Sequence, residues 1–255
     1  METVLYEKAG KIAYITLNRP ERLNAINTTM QRELPSIWKD FGLDPKVRVA
    51  VLTGAGNKAF CSGVDVKEVA SGHQAMPTQG RHRLTAKSNG VYKPVILAVN
   101  GLCCGGGLGF VADSDICICA DNATFFDTHA RIGIVEATAA IRLARRVPLE
   151  SVMRLVLLGR AEPLPARRAC ELGLVGEVVP ANRLMSRAYE LAQHILENAP
   201  HAMEVSIETI WSSLNYGLQD ALDYGFQRIK ENFYNDEFQE GTRAFAEKRP
   251  PSWTV

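Results

Sequence analysis

Long apolar runs are what this sequence most lacks. The longest, around Val95–Val99 and Val152–Leu158, fall far short of the roughly 20 residues that span a bilayer, so no membrane partner is expected. An excess of one charge is missing too. The 29 Lys and Arg against 28 Asp and Glu leave a formal net charge of +1, which gives no reason to expect nucleic acid or another polyanion. The short basic stretch Arg81, His82, Arg83 reads as a solvated face. The cysteines Cys61, Cys103, Cys104, Cys117, Cys119 and Cys170 show neither CxxC spacing nor a nearby HxxxH. They support no zinc site, and the expectation is no metal and reduced, mostly structural thiols. Glu2, Glu7 and Lys8 precede any long apolar stretch, so no secretory or transit signal is visible and a cytoplasmic location is expected by default. Neither a fixed-period repeat nor a low-complexity tract is present.

What is there describes an ordinary globular chain: 255 residues, 46% hydrophobic, enough to close a sizeable core. Strand-like runs at Ile12–Leu17, Val47–Leu52, Val95–Val99 and Asp115–Cys119 alternate with amphipathic segments, the pattern of an α/β architecture with crossover helices. After Thr28, residues Met30, Leu34, Ile37, Trp38 and Phe41 recur at helical spacing, and Pro35 among them is expected to kink the helix or shift its start. From about Ala181 the pattern turns helical, with Leu184, Ala188, Leu191, Ala192 and Ile195 on one stripe. These features divide the chain into a core at 1–195 and a helical C-terminal region at 196–255, joined near Asn198, Ala199 and Pro200.

Two glycine-rich turns carry candidate chemistry. The first, Gly54-Ala55-Gly56-Asn57-Lys58-Ala59, superficially matches a dinucleotide fingerprint. Such a turn should open directly into a helix and be followed about 20 residues later by an acidic ribose ligand, whereas Phe60-Cys61-Ser62-Gly63 interrupts the helix and position 74 is Gln. The second, Asn100-Gly101-Leu102-Cys103-Cys104-Gly105-Gly106-Gly107-Leu108-Gly109, follows the buried strand and leads into the apolar stretch Leu108–Ala112. Glycines there allow close backbone approach, and unpaired N–H groups at a helix start favour an oxyanion. On the residues alone, an oxyanion site and a tight strand-to-helix turn both remain open.

The run Lys93-Pro94-Val95-Ile96-Leu97-Ala98-Val99-Asn100-Gly101, then Gly105-Gly106-Gly107, then Ala120-Asp121-Asn122-Ala123 resembles the signature of the enoyl-CoA hydratase/isomerase (crotonase) family. Asn18 through Ala25, Ala59 through Lys67, Leu158-Gly159-Arg160 and Ala166 through Pro180 agree in order and spacing. The resemblance covers about residues 12–180. It implies a crotonase (ClpP-like) spiral of ββα units with a helical C-terminal region, and an acyl-CoA substrate, with coenzyme A as part of that substrate and no prosthetic group. It also implies an oxyanion hole built from the backbone N–H groups of Val64 and Gly106, holding the thioester carbonyl as an enolate forms. The CoA moiety is implied along Arg22, Leu23, Ala25, Ser62, Asp65, Val66 and Lys67. Lys248 resembles a C-terminal lysine reaching CoA from a neighbouring subunit, in a homotrimer or dimer of trimers.

The same resemblance implies two catalytic glutamates, and this chain has neither. Gly109 stands at the first position, and His129, in Phe125-Phe126-Asp127-Thr128-His129-Ala130-Arg131-Ile132-Gly133, at the second. Where dienoyl-CoA isomerases carry an aspartate, this chain has Ala137, with Glu136 one residue earlier at an expected helix start, where a carboxylate also has a structural use. His129 is the best-placed acid/base. Asp127 would face the same side at roughly 6.6 Å if the segment is extended. Cys103 and Cys104 lack a partner histidine nearby in sequence. The expected activity is enolate chemistry on an acyl-CoA with His129, Asp127 or Glu136 moving the proton. The alternatives are an acyl-CoA-binding protein without turnover and a carbon–carbon hydrolase of a non-CoA diketone. Acyl specificity is assigned to an expected lid-like helix from about Thr78 to Val91, with His73, His82 and Arg83 nearby.

Overall fold

The computed structural model describes residues 2–72 and 83–253. An antiparallel hairpin, β1 (Val4–Ala9) and β2 (Ile12–Leu17), leads into helix α1 (Thr28–Leu43). Three strand pairs follow, each trailed by a helix. They are β3 (Val49–Gly54) and β4 (Ala59–Cys61) with α2 (Val66–Ala70), β5 (Val95–Val99) and β6 (Leu102–Cys104) with α3 (Leu108–Asp113), and β7 (Ile116–Ala120) and β8 (Thr124–Phe126) with α4 (Thr138–Leu143). Next come α5 (Leu149–Leu158), β9 (Leu164–Pro165), α6 (Ala166–Glu171) and β10 (Glu177–Val179). The chain closes with α7 (Leu184–Leu196), α8 (Pro200–Ser213), α9 (Leu218–Asn232) and α10 (Asp236–Ala246).

The first strand of each pair enters a six-stranded sheet ordered β1-β2-β3-β5-β7-β10, and the second enters a four-stranded sheet ordered β4-β6-β8-β9. This alternation is the expected ββα spiral. In the smaller sheet β4, β6 and β8 run parallel, in the register Cys61↔Cys103 and Cys104↔Phe126. Their C-terminal ends therefore share one edge, where three turns emerge: Ser62–Val64, Gly105–Gly107 and Asp127–His129.

Packing explains why the elements hold. All five residues of β5 are buried, as a parallel strand covered on both faces requires. One face of the larger sheet packs Ile96, Ala98 and Ile118 against Leu184, Ala188 and Ala192 of α7. Helix α1 buries Met30, Leu34, Trp38 and Phe41, and the Asn27 side chain accepts a hydrogen bond from the Met30 N–H as its N-cap. Each such apolar side chain contributes about 1.5–3 kcal/mol when fully buried. The helix begins at Thr28 and runs on through Pro35, so the expected shift of its start does not occur; the Asn27 cap fixes it. The buried ammonium of Lys93 donates to the carbonyls of Phe41, Asp44 and Val47 at 3.0, 2.7 and 2.9 Å, tying the end of α1 to the start of β5.

Helices α8 and α9 bury no residue fully. They are tied to the rest by Trp211, whose indole N–H donates to Asp115 at 2.7 Å, by Arg48 bonded to the Asn198 carbonyl, and by Arg145 bonded to the Leu214 carbonyl. No described helix is long and apolar enough to cross a membrane. The expected helix from Thr78 to Val91 needs correction. Residues 78–82 lie outside the described residues, as does His73, and from Arg83 onward there is a single 3-10 turn at Lys87–Asn89. Thr85 and Ser88 bond one another's side chains and backbones there, and Gly90 at φ 73° ends the turn, a local arrangement that competes with continuous helix.

Candidate active site

The three turns at the edge of the small sheet, together with the start of α4, enclose a cavity of about 130 Å³. The first two turns meet closely. Gly63 has φ +88°, and a Cβ there would lie 3.1 Å from the Gly106 nitrogen, so only glycine permits this approach. Ile26 donates its N–H to the Gly63 carbonyl at 2.7 Å and accepts the N–H of Asp65 at 2.9 Å. That pairing passes over Val64, whose N–H takes no part in it. Gly106 lies in the first turn of a 3-10 helix, Gly105–Gly107, where backbone donors have no partner within the helix. Val64 and Gly106 both line the cavity.

The third turn holds the charged groups. Asp127 and His129 meet through a turn, not an extended segment: β8 ends at Phe126, and His129 has φ −61° and ψ −49°. Asp127 Oδ2 accepts the His129 backbone N–H at 2.9 Å, and Oδ1 meets His129 Nδ1 at 2.6 Å. This side-chain-to-backbone turn replaces the roughly 6.6 Å spacing that an extended strand would give. Glu136 Oε2 meets the same Nδ1 at 3.0 Å, while its Oε1 accepts the Ala140 N–H at 2.9 Å and so holds the first turn of α4. Glu136 therefore both holds the start of α4 and touches the imidazole. With Nδ1 between two carboxyl groups, Nε2 is the ring nitrogen left for the cavity, which His129 and Glu136 line.

The hydrogen bond to Asp127 is the largest influence on the imidazole and raises its pKa above the ordinary 6.5. Burial opposes this, and the charges of Asp127 and Glu136 add to it. Donor atoms of Asp127, His129 and Glu136 lie within 4.8 Å of one another, close enough to hold a cation, a cluster that a search for CxxC or HxxxH spacing does not see. Burial pushes the Cys104 thiol up to about 12 and that of Cys103 well above its usual range, which suits the structural reading of both.

The residues assigned to CoA, Lys248 apart, lie on two segments that are bonded together. Segments 19–27 and 61–67 are laced by Ser62 N–H to Leu23 O at 3.0 Å and by the Arg19–Asp65 ion pair at 2.9 Å. The Asp65 carboxylate is thereby occupied, and it also caps α2 through the Lys67 N–H. Ala25 is buried, and its N–H donates to the Arg22 carbonyl. Leu23 takes a left-handed φ of 51°, while Leu23 and Val66 are exposed. Lys248, past the end of α10 at φ 54°, donates its backbone N–H to Phe245 O. The first glycine turn, at Gly54–Ala59, opens into strand β4 and not into a helix, contrary to a dinucleotide fold.

A family model for enoyl-CoA hydratase/isomerase matches residues 7–255. The chain belongs to the enoyl-CoA hydratase/isomerase family. It is 35% identical to carnitinyl-CoA dehydratase of Escherichia coli K12, covering 99% of this chain and 98% of the relative. With short-chain-enoyl-CoA hydratase of Clostridium acetobutylicum it shares 33% identity over 98% of this chain and 96% of that one. The solved structure of an enoyl-CoA hydratase/isomerase from Mycobacterium paratuberculosis superposes with a TM-score of 0.92 at 37% identity, covering 99% and 98% of the two chains. The protein thus has the crotonase fold of this hydratase/isomerase family.

Four polar or charged residues of the cavity went unflagged in the sequence: Gln31, Thr85, Thr138 and Arg142, which line it with Leu84 and Phe110. They come from segments that only the fold brings together. Gly109 also lines it, and a Cβ added there would meet nothing within 4 Å, so this position opens onto free space.

Proposed function

We infer that this member of the family acts on an acyl-CoA thioester by enolate chemistry, with His129 in place of the usual glutamate pair. The observation that carries this reading is the seating of His129 Nδ1 between Asp127 and Glu136, at 2.6 and 3.0 Å, in the cavity that Val64 and Gly106 line. The thioester carbonyl accepts hydrogen bonds from the N–H groups of Val64 and Gly106. Neutral His129 takes a proton from the acyl chain through Nε2, and the electron pair moves onto the carbonyl oxygen. Asp127, with Glu136, fixes the tautomer and stabilises the imidazolium that forms. In the elimination direction the imidazolium returns its proton to a departing hydroxide as the double bond closes; in isomerisation it returns it to another carbon. Removing one oxyanion donor costs on the order of 3 kcal/mol in such holes.

Arg22 and Lys67 supply positive charge for the CoA phosphates, beside Leu23, Ala25, Ser62, Asp65 and Val66. Lys248 of a neighbouring subunit completes the site in a homotrimer or dimer of trimers. The exposed apolar residues Leu218, Leu222 and Phe226 of α9 and Phe245 of α10 support such an assembly, and a monomeric mass by light scattering would end the role of Lys248. The reading is tested with hydroxyacyl-, enoyl- and dienoyl-CoA esters and with His129→Ala. A rise in melting temperature with CoA ester and a fall in kcat with little change in KM are expected. Binding without turnover of any ester would leave a binding protein, and no stabilisation by any CoA ester would favour a non-CoA diketone substrate.

A further inference from the structure

The cavity that His129 lines also carries polar side chains that enolate chemistry does not require. Arg142 lines it, with one guanidinium N–H donated from Nη1 to Asp113 Oδ2 at 2.9 Å. Its Nε and Nη2 form no hydrogen bond among the described residues. The side chains of Gln31 and Thr138, which share that lining, likewise have no hydrogen-bond partner among the described residues. Arg142 is 37% exposed and Thr138 is exposed, so these groups are free to meet a polar part of whatever enters the cavity.

The partner that holds Arg142 does not use up its donors. Asp113 is 5% exposed and also accepts the Thr85 hydroxyl at 2.5 Å. The cations acting on it are Arg142, Lys87 and Arg146, of which Lys87 is bonded to Asp115 at 2.9 Å. Asp113 is thus shared by several cations and is not reserved for Arg142. Glu136, which lines the same cavity, is engaged by His129 and by the Ala140 N–H. A guanidinium held from one side keeps its remaining donors in a fixed fork, the geometry that matches a carboxylate. Gly109 leaves open the space that a side chain would otherwise fill.

We propose that Arg142, with Gln31 and Thr138, forms a subsite for a carboxylate at the far end of a short acyl chain, so that the substrates are CoA thioesters of dicarboxylic acids. This assignment rests on the acyl-CoA reading above and specifies its substrate class.

The test measures binding of two unreactive saturated esters by calorimetry, glutaryl-CoA and its neutral isostere 5-methylhexanoyl-CoA, with free CoA as the reference. Wild-type protein is expected to bind glutaryl-CoA at least about tenfold more tightly than the isostere, the order of one charge-assisted contact. Arg142→Gln should bring that ratio close to one. Should Arg142→Gln fail to fold, because Asp113 loses its partner, Arg142→Lys keeps a cation beside Asp113 while removing the fork, and should lower the ratio without abolishing it. Equal binding of both esters by wild type, or a ratio unchanged in a folded Arg142 variant, overturns the assignment. If neither ester binds more tightly than CoA alone, the acyl-CoA reading falls, and the subsite with it.

Discussion

Replacing Asp127 by Asn isolates the contribution of the carboxylate to His129. The side chain of Asp127 is fully buried at 0% exposure and accepts two hydrogen bonds, from His129 Nδ1 at 2.6 Å and from the His129 backbone N–H at 2.9 Å. An asparagine oxygen can accept one of them, and its amide then points N–H at N–H in the other. A hydrogen bond to a charged group contributes about 1.5–3 kcal/mol, and a buried unsatisfied donor costs about 1–3 kcal/mol. Glu136 remains 3.0 Å from Nδ1, so the lower part of the first range applies to catalysis. Turnover should fall about ten- to thirtyfold at 1.4 kcal/mol per factor of ten.

Stability should fall as well, by about 2–4 kcal/mol, or roughly 5–15 °C in Tm for a chain of this length. The pH dependence has a definite sign. Because the His129 pKa is raised in the folded state, the protonated ring stabilises the fold fully below the ordinary value of about 6.5 and loses that contribution as pH rises through the folded value. The gap in Tm between wild type and Asp127→Asn should therefore be widest at pH 6 and narrow towards pH 9. The wild-type kcat/KM should rise with pH as the base becomes neutral, with a midpoint above 6.5, and the variant's midpoint should move down. A folded Asp127→Asn protein with unchanged turnover and an unmoved midpoint would refute the pairing.

Gly63→Ala should lower kcat/KM, by up to the 10²–10³-fold typical of losing an oxyanion donor, because its Cβ would lie 3.1 Å from the Gly106 nitrogen and φ is +88°; steady-state kinetics on any accepted ester would reveal it. Gly109→Ala should be stabilised by about 0.5–1 kcal/mol through helix propensity, since its Cβ meets nothing within 4 Å; denaturant titration checks this, and a loss of stability would mean the space is not free. Lys93→Met should cost about 2–4 kcal/mol, because the carbonyls of Phe41, Asp44 and Val47 lose a shared charged donor; a change in chemical-denaturation midpoint below about 1 kcal/mol would contradict that role.

Buried strands were the most legible part of the sequence. Ile12–Leu17 and Val95–Val99 emerge with the expected bounds, because a continuous or alternating apolar run between turn residues leaves few other folds. The glycine turn was legible as an approach to a ligand or as tight packing, and the packing is there: a Cβ on Gly107 would lie 2.7 Å from the Cys61 carbonyl oxygen. The pairing of Asp127 with His129 was legible as a contact, but not its form. A two-residue offset reads as strand until the aspartate's own backbone bond to His129 is known. The set formed by Arg142, Asp113 and Thr85 was not legible, since its members lie 28 and 29 residues apart and no local period links them. Pro35 argued against a helix start at Thr28, yet capping by Asn27 outweighed it.

The parallel run of β4, β6 and β8 works as a ruler. Neighbouring strands stand about 4.8 Å apart, so the spacing from Val64 through Gly106 to His129 is set by backbone pairing that no side chain at the site helps to make. A single substitution just beyond one strand can exchange the group that moves the proton while the grip on the carbonyl keeps its position. On the proposed function, histidine at 129 is one such exchange, which makes the scaffold a place where reaction type can diverge one residue at a time.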